Sequence, residues 1–279
     1  MKQAMIFAAG LGTRLKPLTD TMPKALVRVG GQPLLWHVVQ KLKGAGYERI
    51  VVNVHHFAQQ IVDYLKAQDN FGLDIRISDE SDQLLETGGG IKKALPLFDP
   101  TEPILIHNVD ILSNLDLTEL TGGLLTGGLS PVCEVHGDCP PVSSAANSAA
   151  TPVSTPAALL IVSRRQTKRY LLFDDDMHLQ GWTNIETGEV KGPAANYPLS
   201  SLISPLSSLE KLAFSGLHVL YPSAFPLLSE WPDRFPIMDF YLKACADHVI
   251  RGYEATDLRL LDVGKLDTLE EANDLLFTI

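Results

Sequence analysis

The stretch Ala4-Met5-Ile6-Phe7-Ala8-Ala9 is apolar without interruption and stops at Gly10-Leu11-Gly12. Strict alternation would mark a strand with one wet face. A continuous run marks a strand buried on both faces, as in sheets covered by helices on each side. That requirement excludes most all-β and all-α arrangements for this part of the chain.

The pattern repeats. Residues 33–45 place Leu34, Leu35, Val38, Val39 and Leu42 at helical spacing, with Pro33 suited to the first turn and Gly46 to the stop. A strand is expected over 49–54, a helix over 57–68, a strand over 73–78, a helix from about Gly89 to Leu97, and a strand over 103–109. Strand and helix alternating through short connections imply a mostly parallel sheet with helices on both faces. Ligands of such sheets sit outside the carboxyl ends of the strands, which is where the opening glycines fall.

Beyond Asp110 the periodicity changes. A helix is expected over 116–126 and a strand over 130–135. Residues 137–157 are rich in Ser, Ala and Pro and have no periodicity, so a disordered surface insertion is expected there. "ALLIVSR", "RYLLFD" and "LQGWTN" resemble an antiparallel meander. After an irregular stretch, 191–208, come a strand over 212–221, a helix near 237–248, a strand over 258–264 and a last helix over 268–277. No linker separates domains, so residues 1–279 are taken as one domain.

The chain has 279 residues and a formal net charge of −10, which argues against nucleic acid as a partner. No apolar run approaches a membrane span. The short apolar N-terminus, broken by Gly10, Gly12 and Arg14, is a poor signal peptide. Cys133, Cys139 and Cys245 show no zinc-type pairing, which fits a reducing compartment; a cytoplasmic location is expected.

Three phosphate-binding patterns compete for "GLGTRLKPLTDTMPKAL". A dinucleotide fingerprint needs a third glycine where Leu15 stands, and no Gly-Lys-Ser/Thr follows for a P-loop. The third is a loop whose amides wrap a triphosphate beside local cations. Gly10 and Gly12 allow close backbone approach, Arg14 can clasp phosphate oxygens bidentately, Lys24 adds a compact charge, and Pro17 and Pro23 stiffen the path. An ordinary surface loop with incidental cations is the plainer alternative. Asp110 and Asp262 each end a strand-like run, an arrangement suited to one Mg2+, although either alone reads better as a cap or turn residue. "ETGGG" offers glycine amides at a helix start, with Thr87 as a cap in the plainer alternative. His55 and His56 flank a strand end, and His107 suits the core.

"AAGLGTRLKPLT…PKAL" closely resembles the signature of the sugar-1-phosphate nucleotidyltransferases. "ETGGGI" (86–91), "NVD" (108–110), "FSGLHVL" (214–220) and "LDVG" (261–264) follow in the family's order. The likeness is greatest to the compact N-acetylmuramic acid 1-phosphate uridylyltransferase type, which makes a cell-wall precursor. It covers most of the chain apart from 137–157 and 191–208.

The resemblance implies a Rossmann-like mixed sheet with a small antiparallel sugar-side region. It also implies Mg2+, and conversion of an NTP and a sugar 1-phosphate to an NDP-sugar and pyrophosphate. Arg14 and Lys24 would hold the triphosphate, and Asp110 and Asp262 the metal. Ala8, Ala9, Gly10, Leu11, Gly12, Thr13, Glu86, Thr87, Gly88 and Asn108 would line the nucleotide, and Ser215 and Gly216 the sugar. The Glu-Lys-Pro of many relatives, whose lysine grips the sugar phosphate, is missing. Lys191 in "EVKGP" is the candidate, with Lys168 and Arg169 competing.

Glu80 stands where many relatives have a base-reading glutamine. A carboxylate only accepts, which suits guanine, whereas the overall likeness favours UTP. GTP-dependent mannose- or heptose-1-phosphate transfer is therefore the alternative. From another class, a non-catalytic nucleotide-sugar-binding regulator would lack Arg14, Lys24 or an aspartate, and all are present.

Overall fold

The structure, a computed structural model, describes residues 1–118, 120, 155–196, 209–265, 268–269 and 271–272. Four parallel strands form its first half: β1 (Lys2–Phe7), β4 (Tyr47–Val54), β5 (Asp74–Asp79) and β6 (Ile104–Asn108). Between them run helices α1 (Leu34–Gly44), α2 (Ala58–Ala67) and α3 (Glu86–Ala94), with the two-residue hairpin β2 (Arg28–Val29) and β3 (Gln32–Pro33) before α1. Side chains alternate across the sheet. Ala4 and Ile6 face a core shared with α1 and α2, while Met5 faces a second core built with α3 and the later helices. Burial on both faces is the reason β1 is continuously apolar.

β7 (Ile111–Ser113) follows β6 at once and pairs with β14 (Leu260–Asp262). The rest of the sheet comes from β8 (Ala158–Ser163), β9 (Arg169–Phe173), β10 (Leu179–Asn184), β11 (Val190–Lys191), β12 (Glu210–Leu220) and β13 (Ile250–Glu254). Helices α4 (Ala224–Ser229) and α5 (Ile237–Ala244) lie between β12 and β13. The sheet is thus mixed and mostly parallel in its first half, with an antiparallel β9–β10–β11 extension.

Three expectations need correction. β8 is not part of the meander: it pairs antiparallel with β12 and parallel with β13. All six of its residues are buried, and its unbroken apolar run already marks an interior strand. α3 starts at Glu86, three residues before the expected Gly89, so its glycines are inside the helix. Residues 116–118, the start of the helix expected over 116–126, form no helix; Asp116 instead accepts from the Thr118 amide at 2.8 Å in a local turn, and the rest of that span apart from Leu120 lies outside the described residues.

The expected strand over 130–135 and most of the expected insertion lie outside the described residues. Of 137–157, only 155–157 are described. Ala157 is buried and bonds through its backbone to Val249 and Tyr221, so it belongs to the sheet. Among the described residues no helix is long and apolar enough to cross a membrane.

β6 and β8 both run antiparallel to β12, and β13 runs parallel to β8. The carboxyl ends of β1, β4, β5, β6, β8 and β13 therefore share one edge of the sheet.

Candidate active site

A cavity of about 600 Å³ opens at that carboxyl edge. The loop after β1 forms one wall. Gly12 has φ +62°, and its carbonyl accepts from the Leu15 amide at 2.9 Å and the Thr19 hydroxyl at 2.8 Å. These bonds close a tight turn over Thr13–Leu15. Leu15 is fully buried and anchors the turn, which leaves Arg14 more than half exposed at the rim. A Cβ on Gly12 would come within 2.9 Å of Thr19, so both the backbone angle and the space call for glycine.

The residues from Ala8 to Arg14 line the cavity, together with Lys24, Glu80, Glu86, Thr87, Asn108 and Asp110. Lys24 opens a short turn after Pro23, and its ammonium is ion-paired to Asp110. Both side chains are largely buried, at 11% and 19% exposure. Asp262 is exposed and lies 4.0 Å from the Arg14 guanidinium. The β7–β14 ladder sets Asp262 opposite Ile111, and the Val263 amide donates to the Asp110 carbonyl at 2.8 Å. Residues 147 positions apart or more are thereby held side by side, and the two aspartates with them. Gly264 also lines the cavity; a Cβ there would strike Asp262 at 2.6 Å and Arg14 at 2.7 Å.

Other expected residues have different surroundings. The Gly88 and Gly89 amides already donate to the Phe235 carbonyl, at 2.8 and 3.2 Å. A Cβ on Gly88 would lie 2.2 Å from the Phe235 ring, so this glycine serves the packing of α3 against 231–236. Thr87 does not cap α3; its hydroxyl accepts from the Ile237 amide at 2.9 Å. Glu86 pairs with Arg234 at 3.3 Å. The buried Ser215 hydroxyl donates to the Ile161 carbonyl at 2.7 Å and does not line the cavity.

Gly216, φ +80°, sits in a bulge of β12 where a Cβ would meet the Asn108 amide at 2.8 Å. Lys191 is exposed, pairs with Glu189 at 3.3 Å and lies over the Trp182 ring, away from the cavity wall. Lys168 pairs with Glu186 at 2.7 Å. His107 is buried and donates from Nδ1 to the Asn108 carbonyl; burial lowers its pKa to about 4, so it is neutral beside the site. Asn53 and Pro236 line the cavity and were missed in the sequence.

Residues 3–122 match the protein family described as Nucleotidyl transferase. The chain is 50% identical over 111 residues to N-acetylmuramate alpha-1-phosphate uridylyltransferase of Caulobacter vibrioides, covering 39% of this chain and 46% of that protein. It is 46% identical over 117 residues to the enzyme of the same name from Neisseria meningitidis serogroup B, covering 42% and 50%. The chain thus spans about half the length of the curated relatives it matches. In fold it resembles the crystal structure of HddC from Yersinia pseudotuberculosis complexed with GMP-PN. That likeness has a TM-score of 0.68 at 19% identity, over 99% of this chain and 100% of the other. The motif resemblance to sugar-1-phosphate nucleotidyltransferases is borne out, and the mixed sheet is the one it implied.

Proposed function

We propose that this protein is a sugar-1-phosphate nucleotidyltransferase. It would join UTP to an N-acetylated, muramic acid type sugar 1-phosphate in the cytoplasm and release pyrophosphate. The observation that carries this reading is the pairing of Lys24 with Asp110 inside a cavity walled by the Gly10–Arg14 loop. The identity of 46–50% to uridylyltransferases supports the choice of nucleotide and sugar.

The loop amides from Gly10 to Thr13 and the Arg14 guanidinium would receive the triphosphate. An oxygen of the sugar phosphate attacks the α-phosphorus, and the bond from that phosphorus to the bridging oxygen of pyrophosphate breaks. The nucleophile is already an anion, so no side chain needs to take a proton. The chain's task is alignment and neutralisation of charge. Lys24 faces the reacting region and would balance charge as pyrophosphate leaves. Asp110, in the turn just before β7, and Asp262, on β14 beside it, offer hard carboxylate oxygens, a donor set that fits Mg2+. When bound, that ion would add positive charge at the phosphate oxygens.

A pyrophosphate-release screen crossing four NTPs with a panel of sugar 1-phosphates tests the proposal. UTP with an N-acetylated sugar 1-phosphate should give the highest rate. Absence of pyrophosphate with every pair would overturn it.

A further inference from the structure

Asn53 is the penultimate residue of β4 and stands opposite Phe7 in the sheet register. It is 2% exposed, and Glu80, at the end of β5, is 0% exposed. The Asn53 Oδ1 accepts from the amides of Ala8 at 2.7 Å and Ala9 at 3.3 Å. Its Nδ2 donates to Glu80 Oε1 at 2.7 Å. The other carboxylate oxygen, Oε2, accepts from the Leu85 amide at 3.1 Å, one residue before α3. The Glu80 backbone is held as well: its amide donates to the Val54 carbonyl at 2.8 Å, and its carbonyl accepts from Gln83 at 3.0 Å.

The polarity of this chain of bonds has one solution. Ala8 and Ala9 supply only donors, so the Asn53 oxygen must face them. The Asn53 nitrogen must then face an acceptor, which a carboxylate at position 80 provides on either oxygen. Gly90 of α3 makes the space: a Cβ there would lie 2.8 Å from Glu80 Oε1 and 3.3 Å from Asn53 Nδ2. One buried pair thus ties together two walls of the cavity, the loop after β1 and the start of α3.

We infer that Asn53 and Glu80 are positioning residues that set the nucleotide loop, and that Glu80 acts through Asn53 rather than by touching the base. The inference builds on the proposed nucleotide site. It removes the reason to read Glu80 as a guanine-selecting carboxylate: although Glu80 borders the cavity, both of its oxygens already hold donors and the residue is 0% exposed.

A polarity-reversal cycle tests it. Asn53→Asp sets two carboxylates against each other, and Glu80→Gln sets two amide N–H groups against each other. In the double variant the amide and the carboxylate exchange ends. The new glutamine oxygen takes the Leu85 amide, and the new aspartate still accepts from Ala8 and Ala9. Each single change should raise the KM for UTP by about one to two orders of magnitude, with a smaller change in kcat. Hydrogen exchange at the Ala8 and Ala9 amides of the free protein should speed up in both singles, and the double variant should return both measures to within a few fold of wild type. The idea fails if the double variant is no better than the worse single. It fails too if Glu80→Gln alone changes the preference between UTP and GTP while the two amides stay protected. Should Asn53→Asp not fold, Glu80→Gln compared with the double variant still decides. If no NTP is a substrate at all, the proposed function falls, and the amide exchange still reports on the clamp.

Discussion

Lys24→Met removes an ammonium from a cavity wall and leaves the Asp110 carboxylate behind. The pair is 11% and 19% exposed, so most of both charges is away from water. Stripping one partner from a fully buried pair costs about 3–5 kcal/mol. The remaining exposure lets water screen the orphaned carboxylate, which brings the expected loss to about 2–3 kcal/mol. For a chain of this size that is a fall in Tm of about 5 °C, measured by calorimetry without substrates. Asp110→Asn added to Lys24→Met should return most of the loss, because the uncompensated charge is gone. Mg2+ should raise the Tm of Lys24→Met more than that of wild type, since no ammonium competes for the carboxylate. In turnover assays kcat should drop by about a hundred- to a thousandfold while the KM for NTP changes far less. Unchanged melting with an equal Mg2+ response would show that Asp110 does not set Lys24. A large KM increase with kcat preserved would make the lysine an anchor for bound nucleotide and nothing more.

Gly88→Ala puts a methyl 2.2 Å from the Phe235 ring, so it should cost about 1–3 kcal/mol of overpacking and raise the KM for NTP as the Glu86–Thr87 wall shifts; wild-type melting and KM would refute the packing role. Asp262→Asn should nearly abolish turnover while leaving the circular dichroism spectrum unchanged, and EDTA should do the same to wild type; near-normal rates in either case would remove Asp262 from the metal site. Burial lowers the pKa of His107 to about 4 and of His218 to about 3, below the unfolded value of about 6.5, so the unfolded chain takes up protons first as the pH falls. Stability should therefore decline from about pH 6.5 downward, by up to about 1.4 kcal/mol per pH unit for each histidine. Among the described residues neither ring nitrogen of His218 has a hydrogen-bond partner, so His218→Phe should flatten the Tm–pH profile at no cost in bonding there; an unaltered slope would exclude it as a source.

The first half of the fold was legible because burial on both faces leaves a plain mark, the unbroken apolar strand, and α1 and α2 carry a clean helical stripe. The same mark was overlooked at β8, where a buried strand was assigned to an antiparallel meander because its neighbours in sequence were strands too. Its true partners, β12 and β13, arrive some fifty to ninety residues later in the chain. The glycines of "ETGGG" were read for their freedom. They are there because Phe235, Asp233 and Glu80 fill the space that side chains would need, and neighbours 147 and 144 residues away, as Phe235 is from Gly88 and Asp233 from Gly89, leave no trace in a local pattern. The loop, Lys24 and Asp110, singled out from their types and spacing, line one cavity. Asn53 was not, since a polar residue at a strand end is ordinary until its partners 27 and 45 positions distant are known.

On the proposed function, an acidic chain that is to receive two polyanions has to keep its few site cations in place when no ligand is there. Converging cations with no counter-charge would repel one another, and at an effective dielectric of 20 two unit charges 4 Å apart interact by about 4 kcal/mol. Here each cation is matched to a carboxylate from another element: Lys24 to Asp110 across the cavity, and Arg14 to Asp262 at the rim. The match solves the resting problem and sets the condition for binding. A bare anion that drew Lys24 or Arg14 toward itself would leave an aspartate uncompensated, so cation and carboxylate must both find new partners in one event. A nucleoside triphosphate arriving with a divalent ion provides both. If the proposed function holds, the Asp110–Lys24 pair should therefore favour a metal–nucleotide complex over free phosphate or pyrophosphate without any contact that reads the base.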